Sequence, residues 1–356
     1  MTSDVRKGMP ETKIDKKAFR RRFYQAFYDP AFDTVKPELD RAMELAWNAY
    51  EEGRKAPRTC PAGPDFADPT YDMSVEWLAA RDAIKAAEQA HRDSSRPARI
   101  LIINGSPRSE HTCPGEMSKT HRLIESAQQE FAREPDTECE VLDLSRLTSE
   151  YGRQIHPCKA CFSTAPTLCH WPCSCYPNHA LGQVHDWMND IYPKWVAAHG
   201  IMIITPVHWY QAPTTLKLMM DRLVCADGGN PDPTTTHGKN AQHAKELEAG
   251  WHYPRHLSDR VFSVVVHGDS AGAENLRRML TDWLTDMELR PAGDAALVDR
   301  YIGYYRPYAT SHADLDKEQA IFVEVQNAAI TLREAVTRYR AGEKAPGSSL
   351  RDPRPK

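Results

Sequence analysis

One stretch limits the fold more than any other: ARILIINGSPRSEHTCPGEMSKTHRLIESA, residues 98–127. Residues 99–103 are mostly β-branched or apolar, long enough for a strand and too short for a helix of their own. Gly105, Ser106 and Pro107 break the run, and Leu123, Ile124, Ala127 and Phe131 then recur at helical spacing. A glycine turn between a buried strand and a helix start exposes backbone N–H groups and the positive end of the helix dipole, which suits a phosphate. Hydroxyls at Ser106, Ser118 and Thr120 and cations at Arg108 and Lys119 can complete such a pocket. The turn is neither G-x-x-x-x-G-K-[ST] nor G-x-G-x-x-G, so triphosphate-loop and dinucleotide fingerprints are absent. A plain strand-to-helix turn with a surface loop explains the same spacing.

Downstream the pattern repeats. Strands are expected at 138–144, 200–205 (GIMIIT) and 260–267 (containing FSVVV), with a weak final strand near 295–298. Helices are expected at 182–198, with Pro193 as a kink or early stop, and at 214–224, 273–287 and 316–339. Continuous apolar strands alternating with helices build a parallel sheet covered on both faces. Ligands of such sheets sit at the carboxyl ends of the strands, where the strand order reverses. Three loops gather there: 105–120, 206–213 and 268–272. The second, PVHWYQAP, sets His208, Trp209 and Tyr210 beside backbone amides, an arrangement suited to a planar heterocycle. Aromatic groups that cap the core explain it too. In the third, Gly268 and Asp269 allow close approach of a ligand or simply cap the next helix.

Residues 1–96 read as a helical extension. One helix carries Lys17–Phe27 and a second begins near Pro37, with Leu39, Ala42, Met43, Ala46 and Tyr50 on one face. After a Pro/Gly-rich link, Ser74 caps a third helix with Trp77, Ala80, Ile84 and Ala87 on one side. Residues 97–342 form the main domain and 343–356 a tail expected to be disordered. The net charge of −4 gives no general basic surface for nucleic acid. No run approaches 18 apolar residues, and the polar start lacks a signal-peptide core, so a cytoplasmic chain with no membrane partner is expected.

Nine cysteines are present, five of them in HPCKACFSTAPTLCHWPCSCYPNHA: Cys158, Cys161, Cys169, Cys173 and Cys175. Such clustering without an export signal suggests metal, redox or reduced thiols rather than a disulfide framework. Cys158, Cys161, Cys169 and Cys173, with Cys175 as a further ligand, are candidates for zinc or an iron–sulfur cluster. His156 and His170 are further candidates. Structural or redox-active thiols are the alternative.

GSPR after the first strand, TPVHWYQAPTTLKLMMDR after the third and HGD after the fourth together resemble the flavodoxin-like NAD(P)H-dependent FMN reductases. The resemblance spans about residues 99–298. It implies a flavodoxin-like, doubly wound, five-stranded parallel sheet carrying FMN, here with an N-terminal helical extension. Ser106, Arg108, Ser118 and Thr120 would surround the FMN phosphate. Pro206, Val207, His208 and Trp209 would lie along the isoalloxazine, and Gly268 and Asp269 near its other edge. Lys217, Asp221 and Arg222 match the family's helix after the flavin loop, in a structural role. The implied activity is electron transfer from NAD(P)H through flavin to a small acceptor: a quinone, a nitro or azo compound, or free flavin. No certain catalytic side chain is implied; His208 is the candidate. A homo-oligomer is expected.

The cysteine stretch resembles the compact motif of iron–sulfur flavoproteins, which implies an alternative, electron transfer to a partner protein. A metal-stabilised binding module without flavin is a third. The chain departs from the common small reductases in three places: the insertion SEHTCPGEM before Ser118, the N-terminal helices, and 226–257, expected as a lid or a dimer contact.

Overall fold

The computed structural model describes residues 14–52, 58–109, 117–176, 186–307 and 310–343. The core of the insertion before Ser118, at 110–116, and nearly all of the expected tail lie outside them. By packing, the chain divides into two compact units of three segments each: 87–149, 194–217 and 257–356 in one, and 1–86, 150–193 and 218–256 in the other.

The first of these holds the sheet. Strands β1 (Ala98–Asn104), β2 (Thr137–Asp143), β3 (Gly200–Pro206), β4 (Val261–Gly268) and β5 (Leu297–Tyr301) are all parallel and run in the order β2-β1-β3-β4-β5. That is the order 2-1-3-4-5 of a flavodoxin-like fold, with its switch point between β1 and β3. The last strand is interrupted. Arg290–Pro291 pairs with the start of β4, a 3₁₀ turn at Asp294–Ala296 intervenes, and β5 pairs with the end of β4. The sequence places the end of this strand three residues too early, because AALV is short and apolar with no alternation to fix its bounds.

Strand side chains alternate between faces. Ile100, Ile102, Met202, Ile204 and Val265 pack with helices α1 (Lys119–Phe131) and α5 (Gln319–Arg340), through Leu123, Ile124, Phe131, Val325 and Leu332. Helix α4 (Ala273–Asp286) packs along β4, burying Leu276, Leu280 and Leu284. Helices α2 (Met188–Ala197) and α3 (Thr214–Arg222) complete the alternation, and Pro193 sits inside α2 without ending it.

In the other unit, helices Lys16–Gln25 and Lys36–Glu51 share a small aromatic core of Phe19, Met43 and Ala46, with the Trp47 and Tyr50 rings against Phe19. An antiparallel pair, Thr59–Pro61 with Asp72–Ser74, leads into helix Val75–Arg92. Ser74 Oγ accepts from the Trp77 N–H at 3.2 Å, the expected cap. Buried Trp77 packs with Phe66 and Met73 and donates from its indole to the Pro172 carbonyl at 2.9 Å. The long 226–257 segment is built rather than loose. It carries a 3₁₀ turn at Pro233–Thr236 and helix Ala241–Glu248, and His256 stacks on Trp171 at 5.0 Å.

Candidate functional site

The strand ends of the parallel sheet bring three loops onto one recess of about 120 Å³. Ser106, Arg108, Ser118, Lys119, Thr120, Pro206, Val207, His208, His267, Gly268 and Asp269 line it. Nine of the ten residues singled out from the sequence are among these. Trp209 is not: it is 94% exposed.

Each wall has a local cause. The glycine turn is tied by its own polar groups. Ser106 N–H donates to Asn104 Oδ1 at 3.0 Å and Arg108 N–H to Ser106 Oγ at 3.1 Å. Gly105 sits so close to β3 that a Cβ there would lie 2.5 Å from Thr205 Oγ1. A side chain at Gly268 would lie 2.5 Å from Val207 Cγ1. These two glycines let the ends of β1 and β4 approach their neighbours closely.

Helix α1 points its N-terminus at the recess. Ser118 is its cap, accepting from the His121 N–H at 3.2 Å. By helix geometry the first-turn N–H groups of Lys119 and Thr120 have no intrahelical acceptor. Ser106, Ser118, Lys119 and Thr120 are all buried. Two cations, Lys119 and Arg108, therefore stand beside a helix N-terminus, an arrangement that favours a bound anion.

The histidines contribute no charge of their own. His267, buried at the end of β4, shares a 2.8 Å hydrogen bond with Thr120 Oγ1. Desolvation, then Lys119 and His208, hold its imidazole down at about 3, so it is neutral at pH 7. His208 is also held below its ordinary range, first by desolvation and then by the Arg108 guanidinium, with Asp269 opposing. Neutral imidazoles leave the positive potential to Lys119, Arg108 and the helix end. The HGD motif after a buried strand marked this corner in the sequence, yet His267 itself was missed, since nothing there pairs it with Thr120.

The 206–213 loop turns sharply. His208 and Gln211 exchange N–H to C=O bonds of 2.9 Å both ways, with Trp209 at φ 47° and Tyr210 at φ 64° between them. Both central residues are left-handed without being glycine, a conformation that costs bulky residues energy. The turn carries Trp209 outward, so it neither caps the core nor lines the recess.

The cysteines lie in the other unit. Cys161 Sγ and Cys175 Sγ are 3.4 Å apart, and Lys239 Nζ donates to each at 3.3 Å. Burial holds the Cys158 and Cys169 thiols above their ordinary range, and Cys173 is raised by its hydrogen bond with Cys175 and then by burial. Among the described residues no three His, Cys, Asp or Glu side chains converge as metal ligands. The expected set of Cys158, Cys161, Cys169 and Cys173, with Cys175, is thus not assembled, and a lysine ammonium stands where a cation would bridge two of the sulfurs. His170 is occupied at both ring nitrogens, by Ser174 Oγ and Thr236 Oγ1, and His156 stacks on Tyr176 at 4.7 Å. Arg222 is structural: 1% exposed, it pairs with Asp186 at 2.6 Å, donates to the His156 carbonyl at 2.9 Å, and lies over the Tyr176 ring.

Residues 98–301, more than half of the chain, match the family described as NADPH-dependent FMN reductase. A curated iron–sulfur flavoprotein from Methanosarcina thermophila is 30% identical over 126 residues, covering 35% of this chain and 52% of the relative. The chain thus spans about half the length of that relative. Among solved structures, RosB with its bound intermediate 8-demethyl-8-formylriboflavin-5'-phosphate is 16% identical with a TM-score of 0.44, covering 72% of this chain and 91% of that one. An NAD(P)H:quinone oxidoreductase from Methanothermobacter marburgensis is 15% identical with a TM-score of 0.37, covering 70% and 98%.

Proposed function

The chain belongs to the NADPH-dependent FMN reductase family, and we propose that it is an FMN-dependent oxidoreductase moving electrons from NAD(P)H to a small acceptor such as a quinone, a nitro or azo compound, or free flavin. The observation that carries this reading is the recess, where a helix N-terminus, Lys119 and Arg108 converge with the Ser106 and Thr120 hydroxyls. A phosphate dianion needs that set of donors and charge. The fit is chemical: among the described residues on the phosphate side the charged groups, Arg108 and Lys119, are positive, and both neighbouring histidines are held below their ordinary range.

In this reading Ser106, Arg108, Ser118, Lys119 and Thr120 hold the FMN phosphate. Pro206, Val207 and His208 lie along the ring system, with Gly268 and Asp269 at its far edge. Bound FMN would supply the two-electron chemistry; the side chains bind and orient it. His208, uncharged at pH 7, keeps one ring N–H with which to donate to a negatively charged group. His267 holds Thr120 in place from behind. Exposed Trp209 and Tyr210 offer flat surfaces at the loop tip to an incoming planar acceptor. A homo-oligomer is part of the reading, and light scattering tests it. Among the described residues no helix is long and apolar enough to cross a membrane.

The test is NAD(P)H oxidation with a quinone acceptor, with and without added FMN. Turnover that depends on FMN is expected. A protein that neither binds FMN nor oxidises NAD(P)H would overturn the reading.

A second reading places an iron–sulfur cluster or zinc on the cysteines, for transfer to a partner protein. The curated relative's name favours it, and the pairing of Cys161 and Cys175 with Lys239 stands against it. Stoichiometric iron and sulfide, or zinc, in anaerobically purified protein would reinstate it.

A further inference from the structure

Cys161 and Cys175 lie fourteen positions apart, yet their sulfurs touch at 3.4 Å. Neither is in a disulfide. Cys161 is partly exposed at the start of a 3₁₀ turn, Cys161–Ser163, and packs beside Ala165, Leu168 and Ala244; Cys175 is buried. Lys239 donates to both sulfurs at 3.3 Å. Its backbone is fixed on either side, by left-handed His237 and by Asn240, which caps helix Ala241–Glu248. The lysine is therefore held at the sulfurs by the fold rather than by its own reach. A disulfide needs sulfurs about 2.05 Å apart, so the pair must close by about 1.4 Å, within the freedom of two side-chain torsions. A nearby ammonium favours the thiolate form that starts exchange.

We propose that Cys161 and Cys175 are a redox-active dithiol, oxidised to an intramolecular disulfide by a low-molecular-weight disulfide. The sulfur of partly exposed Cys161, as thiolate, attacks one sulfur of the small disulfide. The small S–S bond breaks, and the first small thiolate leaves and takes up the proton released from Cys161. Cys175 then attacks the Cys161 sulfur of the mixed disulfide. The second small thiol leaves with the Cys175 proton, and the Cys161–Cys175 bond forms. Two protein thiols are oxidised and one small disulfide is reduced to two thiols, with two electrons and two protons transferred. Burial of Cys175 restricts direct attack to Cys161, which makes Cys161 the entry point and Cys175 the resolving sulfur.

The test is peptide mapping of full-length reduced protein, with whatever flavin it carries, after exposure to glutathione disulfide and alkylation of the remaining thiols. A peptide pair joined through Cys161 and Cys175, two hydrogens lighter than its reduced parts and separated again by a dithiol reductant, is the expected result. Cys161→Ser and Cys175→Ser each abolish that pair, and Cys158→Ser retains it. The link is read in the unaltered protein, so a variant that fails to fold does not hide the answer. Full alkylation of both cysteines after oxidation, a stable mixed disulfide at Cys161, a link between Cys173 and Cys175 instead, or sulfurs held by iron or zinc would each overturn the proposal. None of these outcomes depends on whether FMN binds.

Discussion

The recess and the cysteine segment are both polar clusters, and the sequence announces them in opposite ways. The recess is spread over three loops that span 163 positions, from Ser106 to Asp269. Nine of the ten residues expected from the sequence line it, because apolar strands of fixed period end where they must and the loops follow; Trp209 does not, and His267 joins them unannounced. The cysteines sit within eighteen consecutive residues, 158–175. Their chemistry was written in plain letters and their geometry was not. Between Cys158 and Cys175 lie two 3₁₀ turns and irregular backbone, whose path no periodicity reports. A dispersed site on regular elements is easier to place than a compact site on irregular chain.

The comparison is sharpened first by removing what anchors each region. Arg222→Ala leaves Asp186 buried and uncompensated beside the cysteine segment. The expected loss is about 3–5 kcal/mol in urea unfolding, the range for breaking a buried pair. A loss below about 1 kcal/mol would mean the segment is held by something other than this pair.

The recess answers to pH instead. His267 titrates near 6.5 when unfolded and at about 3 when folded. The unfolded chain therefore binds the extra proton between those values, and stability falls as pH drops through that window. Well inside the window each pH unit removes about 1.4 kcal/mol per such group, so about 2 kcal/mol is lost from pH 6.5 to 4.5 through His267 alone. His91 and His199, with imidazoles held down at about 3 and about 4, add to it with the same sign. His267→Gln is expected to flatten part of this acid slope; an unchanged slope would place the titration elsewhere.

The smallest effect belongs to the turn. Trp209 is exposed and left-handed, so Trp209→Gly is expected to leave stability within about 0.5 kcal/mol, or to raise it slightly, while altering acceptor preference. A large drop in melting temperature would return Trp209 to the core.

Much of the fold was legible. The cap at Ser74, the apolar faces of Lys36–Glu51 and α4, and the four principal strands all follow from period and capping chemistry. What escaped has physical reasons. Left-handed Trp209 and Tyr210 defeat any propensity argument, because only the backbone exchange between His208 and Gln211 makes that turn. His267 became a wall of the recess through Thr120, 147 positions away. Lys239 meets Cys161 and Cys175 from a segment 64 or more positions downstream, and no short motif announces a lysine between two thiols.

The phosphate side of the recess is the central claim, and the ratio of FMN to riboflavin affinity tests it most directly, since the two ligands differ only in the phosphate. Flavin fluorescence titration of the apoprotein is expected to show FMN binding about 100-fold tighter, the worth of two charge-assisted hydrogen bonds. In Ser106→Ala/Arg108→Ala the ratio is expected to collapse to about tenfold or less, with riboflavin affinity little changed. Equal affinities in the unaltered protein, or a ratio untouched by the double substitution, would contradict the assignment.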